Sequence, residues 1–305
     1  MALITPFDDF PIHQTAETLA VPSSSDRNHY DRYWFNGFSE EKDFLFEIGV
    51  GFYPNRHIMD AHFSISTAGK QYSYHASARM NPARYPINIG PISLEILEPM
   101  QKIRFSLKDP EKKLSCDLIF NAITEPHLEP KSLMIEGTRK ILETSRFTQF
   151  GKWDGSIETE SGNLDLTKEY GTRDKSWGVR PVGEPEIGAP GKLNAEPGVY
   201  WCWIPINFGD TFTHFGTFED HDGNSTQLSA DLVEISNNEV IKPLNNISHK
   251  VDWIKGTRWS SGAQISAQEG DKKIEINAKA CGPRFHCKGI GCLLYTSDAA
   301  DDDAC

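Results

Sequence analysis

The sequence predicts an all-β protein of two tandem antiparallel β-barrel or half-barrel domains, the second cut short at its C-terminus. Three observations predict it. Apolar residues recur at every second position along much of the chain, the period of a strand with one buried face. Short clusters of Gly, Asp and Asn separate these runs, as tight hairpins require. A length of 305 residues accommodates two domains of about 150 residues each.

The elements follow in order. Residues 1–25 read as an N-terminal extension, and 26–140 as the first β-domain. In "DFLFEIGVGFY", Phe44, Phe46, Ile48, Val50 and Phe52 share one strand face. Met59, Ala61, Phe63 and Ile65 repeat the pattern, and Gly69 falls in the turn before "QYSYHA". Further strands are marked by Ile92, Leu94 and Ile96, by Ile103, Phe105 and Leu107, and by Leu114, Cys116, Leu118 and Phe120. The segment "PKSLMIEGTRKILETSRF" is interrupted by Gly137 and reads as strand plus short helix or linker at the domain junction.

Residues 141–291 read as the second, incomplete β-domain. Six of the seven tryptophans lie there, at 153, 177, 201, 203, 253 and 259. "YWCWIPI" is apolar on both faces, which predicts a strand covered on both sides. "ESGN", "EDHDGN" and "EGDK" are its hairpin signals, and "GAPGKLNAEPG", Gly188 to Gly198, reads as a long loop. "CLLYTSDAADD", from Cys292, resembles the translated read-through of a sequencing adapter, so residues 292–305 are set aside as a non-native tail.

Net charge is −12, or −8 once the four tail aspartates 298, 301, 302 and 303 are removed. An acidic chain argues against a nucleic-acid partner. Cys116, Cys202, Cys281 and Cys287 form neither a disulfide framework nor a paired zinc pattern, which favours a reducing, cytoplasmic setting. No apolar run approaches the 20 or so residues of a membrane span. No nucleotide-binding glycine motif is present, and no cofactor or metal is expected. Oligomeric state is left open.

"YGTRDKSWGVRP", Tyr170 to Pro181, concentrates charge in an otherwise alternating chain and reads as the polar end of a ligand pocket. With "DRYWFNGFSEEKDFLFEIGVGFYPNRHIMDAHFSI" and "FGKWDGSIETESGNLDL", it resembles the carotenoid 1,2-hydratase (hydroxyneurosporene synthase) group, closest to that group's two-domain bacterial members. The resemblance implies two lipocalin-like domains holding a hydrophobic ligand. It also implies cofactor-free acid–base chemistry, a hydration, isomerisation or cyclisation of an isoprenoid-, steroid- or polyketide-like molecule. The residue matching an alkene-protonating acid is Asp174. A non-catalytic carrier of a hydrophobic ligand is the alternative.

In an extended strand, Thr172, Asp174 and Ser176 face one way and Arg173, Lys175 and Trp177 the other. An Asp directed into an aromatic interior is desolvated and favours its neutral form. Trp177, Trp201 or Trp203 could face a cation formed by protonation, an interaction of about 2 kcal/mol when desolvated. Equally, Arg173, Asp174 and Arg180 could form a buried structural ion-pair network. A third reading has Arg180 or Arg173 anchoring a ligand carboxylate. His214 shares a face with Phe212 and Phe218, as pocket base or as core histidine. "EDHDGN" has acidic groups and a His that could suggest a metal, but its Asp222-Gly223 is the stronger signal, that of a hairpin turn. Asp60 and His62 share a strand face opposite Phe63 and could meet an Arg; such faces are more often solvent, so neither receives a role. "CGPRFHC", Cys281 to Cys287, fits no common zinc spacing.

Overall fold

The structure is a computed structural model that describes residues 4–12, 16–111, 113–181, 200–220, 222–236, 239–257 and 259–286. It is all-β and antiparallel, with lipocalin-like topology. The chain divides into two compact units, Met1–Leu193 with Pro283–Cys305, and Asn194–Gly282. The Gly188–Gly198 loop, the tail and Cys287 lie outside the described residues.

The first unit is one 12-stranded sheet. Its strands are β1 (His29–Ser39), β2 (Phe44–Tyr53), β3 (Ile58–Thr67), β4 (Lys70–Arg79), β5 (Ile87–Ile89), β6 (Ile92–Glu98), β7 (Lys102–Lys108) and β8 (Leu114–Ala122). Then follow β9 (His127–Leu128), β10 (Ser132–Glu136), β11 (Arg139–Thr159) and β12 (Gly162–Val179). The main path runs β4-β3-β2-β1-β12-β11-β8-β7-β6-β5 and curls into a nearly closed barrel. The domain break expected at 140 is therefore misplaced: β11 and β12 pair with β8 and β1. No helix occupies the junction either. Gly137, at φ +60°, turns the chain directly from β10 into β11, and the two form a hairpin.

Alternation accounts for the core. Phe35, Phe46, Ile48, Val50, Phe52, Phe63, Ile65, Phe105, Phe120 and Trp153 all point inward and are almost fully buried. Trp153 fits because Gly37 and Gly171 stand opposite each other beneath it; a Cβ on Gly171 would lie 2.3 Å from its Nε1. This interior is filled by side chains, as in small barrels.

The N-terminal extension joins this unit as well. A single 3-10 turn, Pro6–Asp9, carries Asp9 to complete burial. Arg84 reaches the same segment, donating to the carbonyls of Pro11 (3.1 Å) and Leu19 (2.9 Å).

The second unit holds β13 (Tyr200–Asn207), β14 (Thr211–Glu219), β15 (Ser225–Glu234) and β16 (Glu239–Pro243) in one sheet. A three-stranded sheet follows, with β17 (Asn245–Trp253), β18 (Ser260–Glu269) and β19 (Lys272–Lys279). β13 is less covered than its apolar sequence predicts: Trp201 is 45 % exposed and its neighbours are half-buried. The β14–β15 turn is closed by Asp220, whose Oδ1 accepts the backbone N–H groups of Asp222 and Asn224.

Candidate functional site

β12 divides the charged Tyr170–Pro181 motif between two faces, as alternation requires, but the interior face is not the one expected. Arg173, Lys175 and Trp177 point into the barrel, while Asp174 points away from its aromatic core. Inside, Arg173 donates to Asp9 Oδ1 at 2.7 Å and through Nε to Gln149 Oε1 at 2.8 Å. Gln149 in turn donates to the carbonyls of Met100 and Thr124. The Met100 N–H completes the set on Asp9 Oδ2, at 2.7 Å. Lys175 is paired with Asp31, its ammonium 4.8 Å from the Tyr33 ring centroid. The structural ion-pair network is thus real, but its carboxylates are Asp9 and Asp31. Asp174 is not one of them.

The opposite face carries a second set of charged groups, laid out by register. One row across β4, β3, β2, β1, β12 and β11 reads Ser77, Asp60, Gly51, Arg32, Ser176, Arg146. The adjacent row reads His75, His62, Gly49, Trp34, Asp174, Thr148. Gly51 and Gly49 keep β2 bare, and the heads of Asp60 and His62 lie over it. A Cβ at 51 would be 2.7 Å from both Asp60 Oδ1 and Tyr53 Oη; one at 49 would be 2.2 Å from His62 Cε1. Bare backbone therefore lets the Asp60 carboxyl extend toward Arg32, two strands away.

Asp60 and Asp174 are 5 % and 7 % exposed, so the expectation that the Asp60 face is solvent is overturned. Burial raises both carboxyls above the ordinary 3.8, Asp60 to about 7, while Arg32 and Arg180 pull each part of the way back. Arg146 also lowers Asp174, and Glu129 raises it. Glu129 belongs to Arg146 (3.4 Å) and to the Thr148 hydroxyl (2.5 Å). Among the described residues, neither Arg32 nor Arg180 closes a salt bridge onto either carboxyl, and Asp60 Oδ2 has no hydrogen-bond partner. Arg180 lies over the Tyr30 ring at 4.7 Å, with its buried Nε unbonded. Beside Asp60, His62 Nε2 meets Glu47 Oε1 at 3.1 Å, and its ring stacks on His75.

The remaining residues singled out in the sequence gather elsewhere. His214, fully buried on β14, shares a sheet face with Trp203 and Trp201 of β13. Trp201 stacks on Trp203 at 6.2 Å and on Phe218 at 6.0 Å. Asp174 and Arg180 thus share one face of the first unit, Arg173 and Trp177 occupy its interior, and Trp201, Trp203 and His214 belong to the second unit.

Comparison with known proteins places the chain. A model described as a family of unknown function (DUF8625) matches residues 4–296, which takes in the first five residues of the tail set aside above. The chain belongs to this family. No curated protein matches it. Its fold is similar to that of a crystal structure described as an AttH of Nitrosomonas europaea. The identity is 15 %, the TM-score 0.55, and the match covers 78 % of this chain and 77 % of the other. It is also similar to kievitone hydratase from Nectria haematococca, at 12 % identity and a TM-score of 0.53, covering 85 % and 82 %. These likenesses establish the fold.

Proposed function

We propose that this member of the family is a cofactor-independent lyase or isomerase of the hydratase type. It acts in the cytoplasm on a hydrophobic isoprenoid-, steroid- or polyketide-like molecule. The observation that carries the reading is the pair of buried carboxyls, Asp60 and Asp174, both raised and both within the field of two arginines that close no salt bridge on them. Perturbed carboxyls grouped with uncommitted cations are what proton-transfer sites need. A purely structural network would have closed its pairs.

The chemistry balances without a redox partner. Asp174, whose carboxyl burial pushes above the ordinary range, gives its proton to an alkene carbon, and water adds to the cation that results. Asp60, titrating near neutral pH, takes the proton that the adding water loses. The product gains one water across the double bond, and proton exchange with solvent resets the two carboxyls. Elimination of water is the same path reversed. In an isomerisation the second carboxylate removes a different carbon-bound proton. The hydratase among the structural neighbours supports the reaction class by analogy of fold.

Carriage of a hydrophobic ligand without conversion is the second reading. The stacked, part-exposed Trp201, Trp203 and Phe218 favour it, together with His214 buried on the same face. The test is to incubate the protein with an extract of isoprenoids, sterols, polyketides and fatty acids and to identify retained compounds by mass spectrometry. Gain of one water or a change of isomer in wild type, lost in Asp174→Asn and Asp60→Asn while binding persists, supports the enzyme. Retention without conversion by all three proteins supports the carrier.

A further inference from the structure

Charge on the Asp60–Asp174 face is out of balance. Glu129 is committed to Arg146 and Thr148, and Glu47 contacts His62. Arg32 and Arg180 remain, opposite two carboxyls that burial drives toward neutrality. Among the described residues no salt bridge closes on either guanidinium group, so neither has a committed counter-charge. Buried or half-buried cations of that kind are costly unless a counter-charge arrives. Arg180 is also aimed: Tyr30 supports its plane at 4.7 Å, and its Nε–H is buried with no acceptor. Guanidinium groups present paired N–H donors whose fork matches a carboxylate. Half-buried Trp34, level with Asp174 on the neighbouring strand, offers apolar surface beside them.

We infer that the substrate is a hydrophobic unsaturated carboxylic acid whose carboxylate is held by Arg32 and Arg180, with its double bond toward Asp174. This rests on the acid–base reading for where the double bond lies, but not for the anion site.

The test uses two probes of one skeleton, cinnamate and cinnamyl alcohol, which differ in the carboxylate. Affinities are measured by calorimetry for wild type, Arg180→Gln, Arg32→Gln and Arg180→Lys. Hydrogen bonds to charged groups predict that wild type binds cinnamate about 10- to 100-fold tighter than the alcohol. Arg180→Gln and Arg32→Gln should each erase most of that preference while leaving the alcohol unchanged, and Arg180→Lys should retain part of it. Equal affinity for the two probes in wild type, a preference that survives both Gln variants, or no binding of either probe overturns the inference. Separately, a neutral compound hydrated with undiminished turnover by Arg180→Gln would overturn it while leaving the acid–base reading intact. Arg-dependent cinnamate binding with no conversion of any compound would uphold the anion site and sink the enzyme.

Discussion

Replacing Asp60 by Asn should make the protein more stable at neutral pH and no more stable in acid. The folded carboxyl holds its proton up to about pH 7, against an ordinary 3.8. Protonation therefore favours the fold. The group's contribution is fully present below pH 3.8, falls as pH rises, and is gone once pH passes 7. Moving a midpoint from 3.8 to about 7 at 1.36 kcal/mol per pH unit corresponds to about 4 kcal/mol. Asp60 is 5 % exposed, so little solvent screening reduces that figure, although an Asn amide facing Arg32 will offset part of it. Urea unfolding of wild type and Asp60→Asn, followed by tryptophan fluorescence at several pH values from 4.5 to 8.5, measures the difference. The variant's advantage should widen steadily up to pH 7 and then level off. A gap that ignores pH, or a variant weaker than wild type at pH 8, would refute the reasoning and mean that Arg32 and Arg180 hold Asp60 as an ordinary ion-paired carboxylate.

Asp9→Ala, which strips Arg173 of its buried partner, should destabilise the first unit by about 3–5 kcal/mol in thermal or urea unfolding. The apolar pair Asp9→Leu with Arg173→Met should recover most of the loss, and failure to recover any would show that the hydrogen bonds matter beyond the charges. Gly51→Ala forces a Cβ within 2.7 Å of Asp60 Oδ1 and should cost about 1–3 kcal/mol while lowering any turnover; an unchanged melting temperature would deny the close approach. Among the described cysteines, exposed Cys281 should react with a thiol reagent at once. Cys116, buried and with its thiol pushed well up, should react only on unfolding; early labelling at 116 would contradict its burial.

Most of the fold was legible because period-two alternation records which side of a strand meets the core, and Phe44 to Phe52 and Leu114 to Phe120 keep that record without a break. The division of the chain was not. β11 and β12 mix charged and polar residues among their apolar positions, and nothing local tells a strand which distant edge it will join. Alternation also separated Asp174 from Arg173 correctly. It could not say which face is interior, because both faces of this stretch of β12 are buried. Asp9 and Asp31, the true partners of Arg173 and Lys175, lie 164 and 144 residues away in sequence, beyond any local pattern. Asp60 was visible, but burial of its face depends on tertiary covering. The one local hint was Gly49 and Gly51 at alternate positions of a strand, which mark a place where other groups approach the backbone closely.

The β1–β12 seam makes assembly of the first unit a matter of timing. Tyr30 pairs with Gly178, so a strand made early must wait for the last strand of its own sheet. At about 5–20 residues per second, the ribosome takes roughly 7–30 s to supply the missing partner. During that interval β1 has one neighbour, β2, and one open edge of N–H and C=O groups, while Asp9 has no Arg173 to meet. Such an edge invites pairing with other chains. The nascent protein is most vulnerable to misassembly after β8 has emerged and before β12 has, and chaperones that shield strand edges should matter most to its yield in that window.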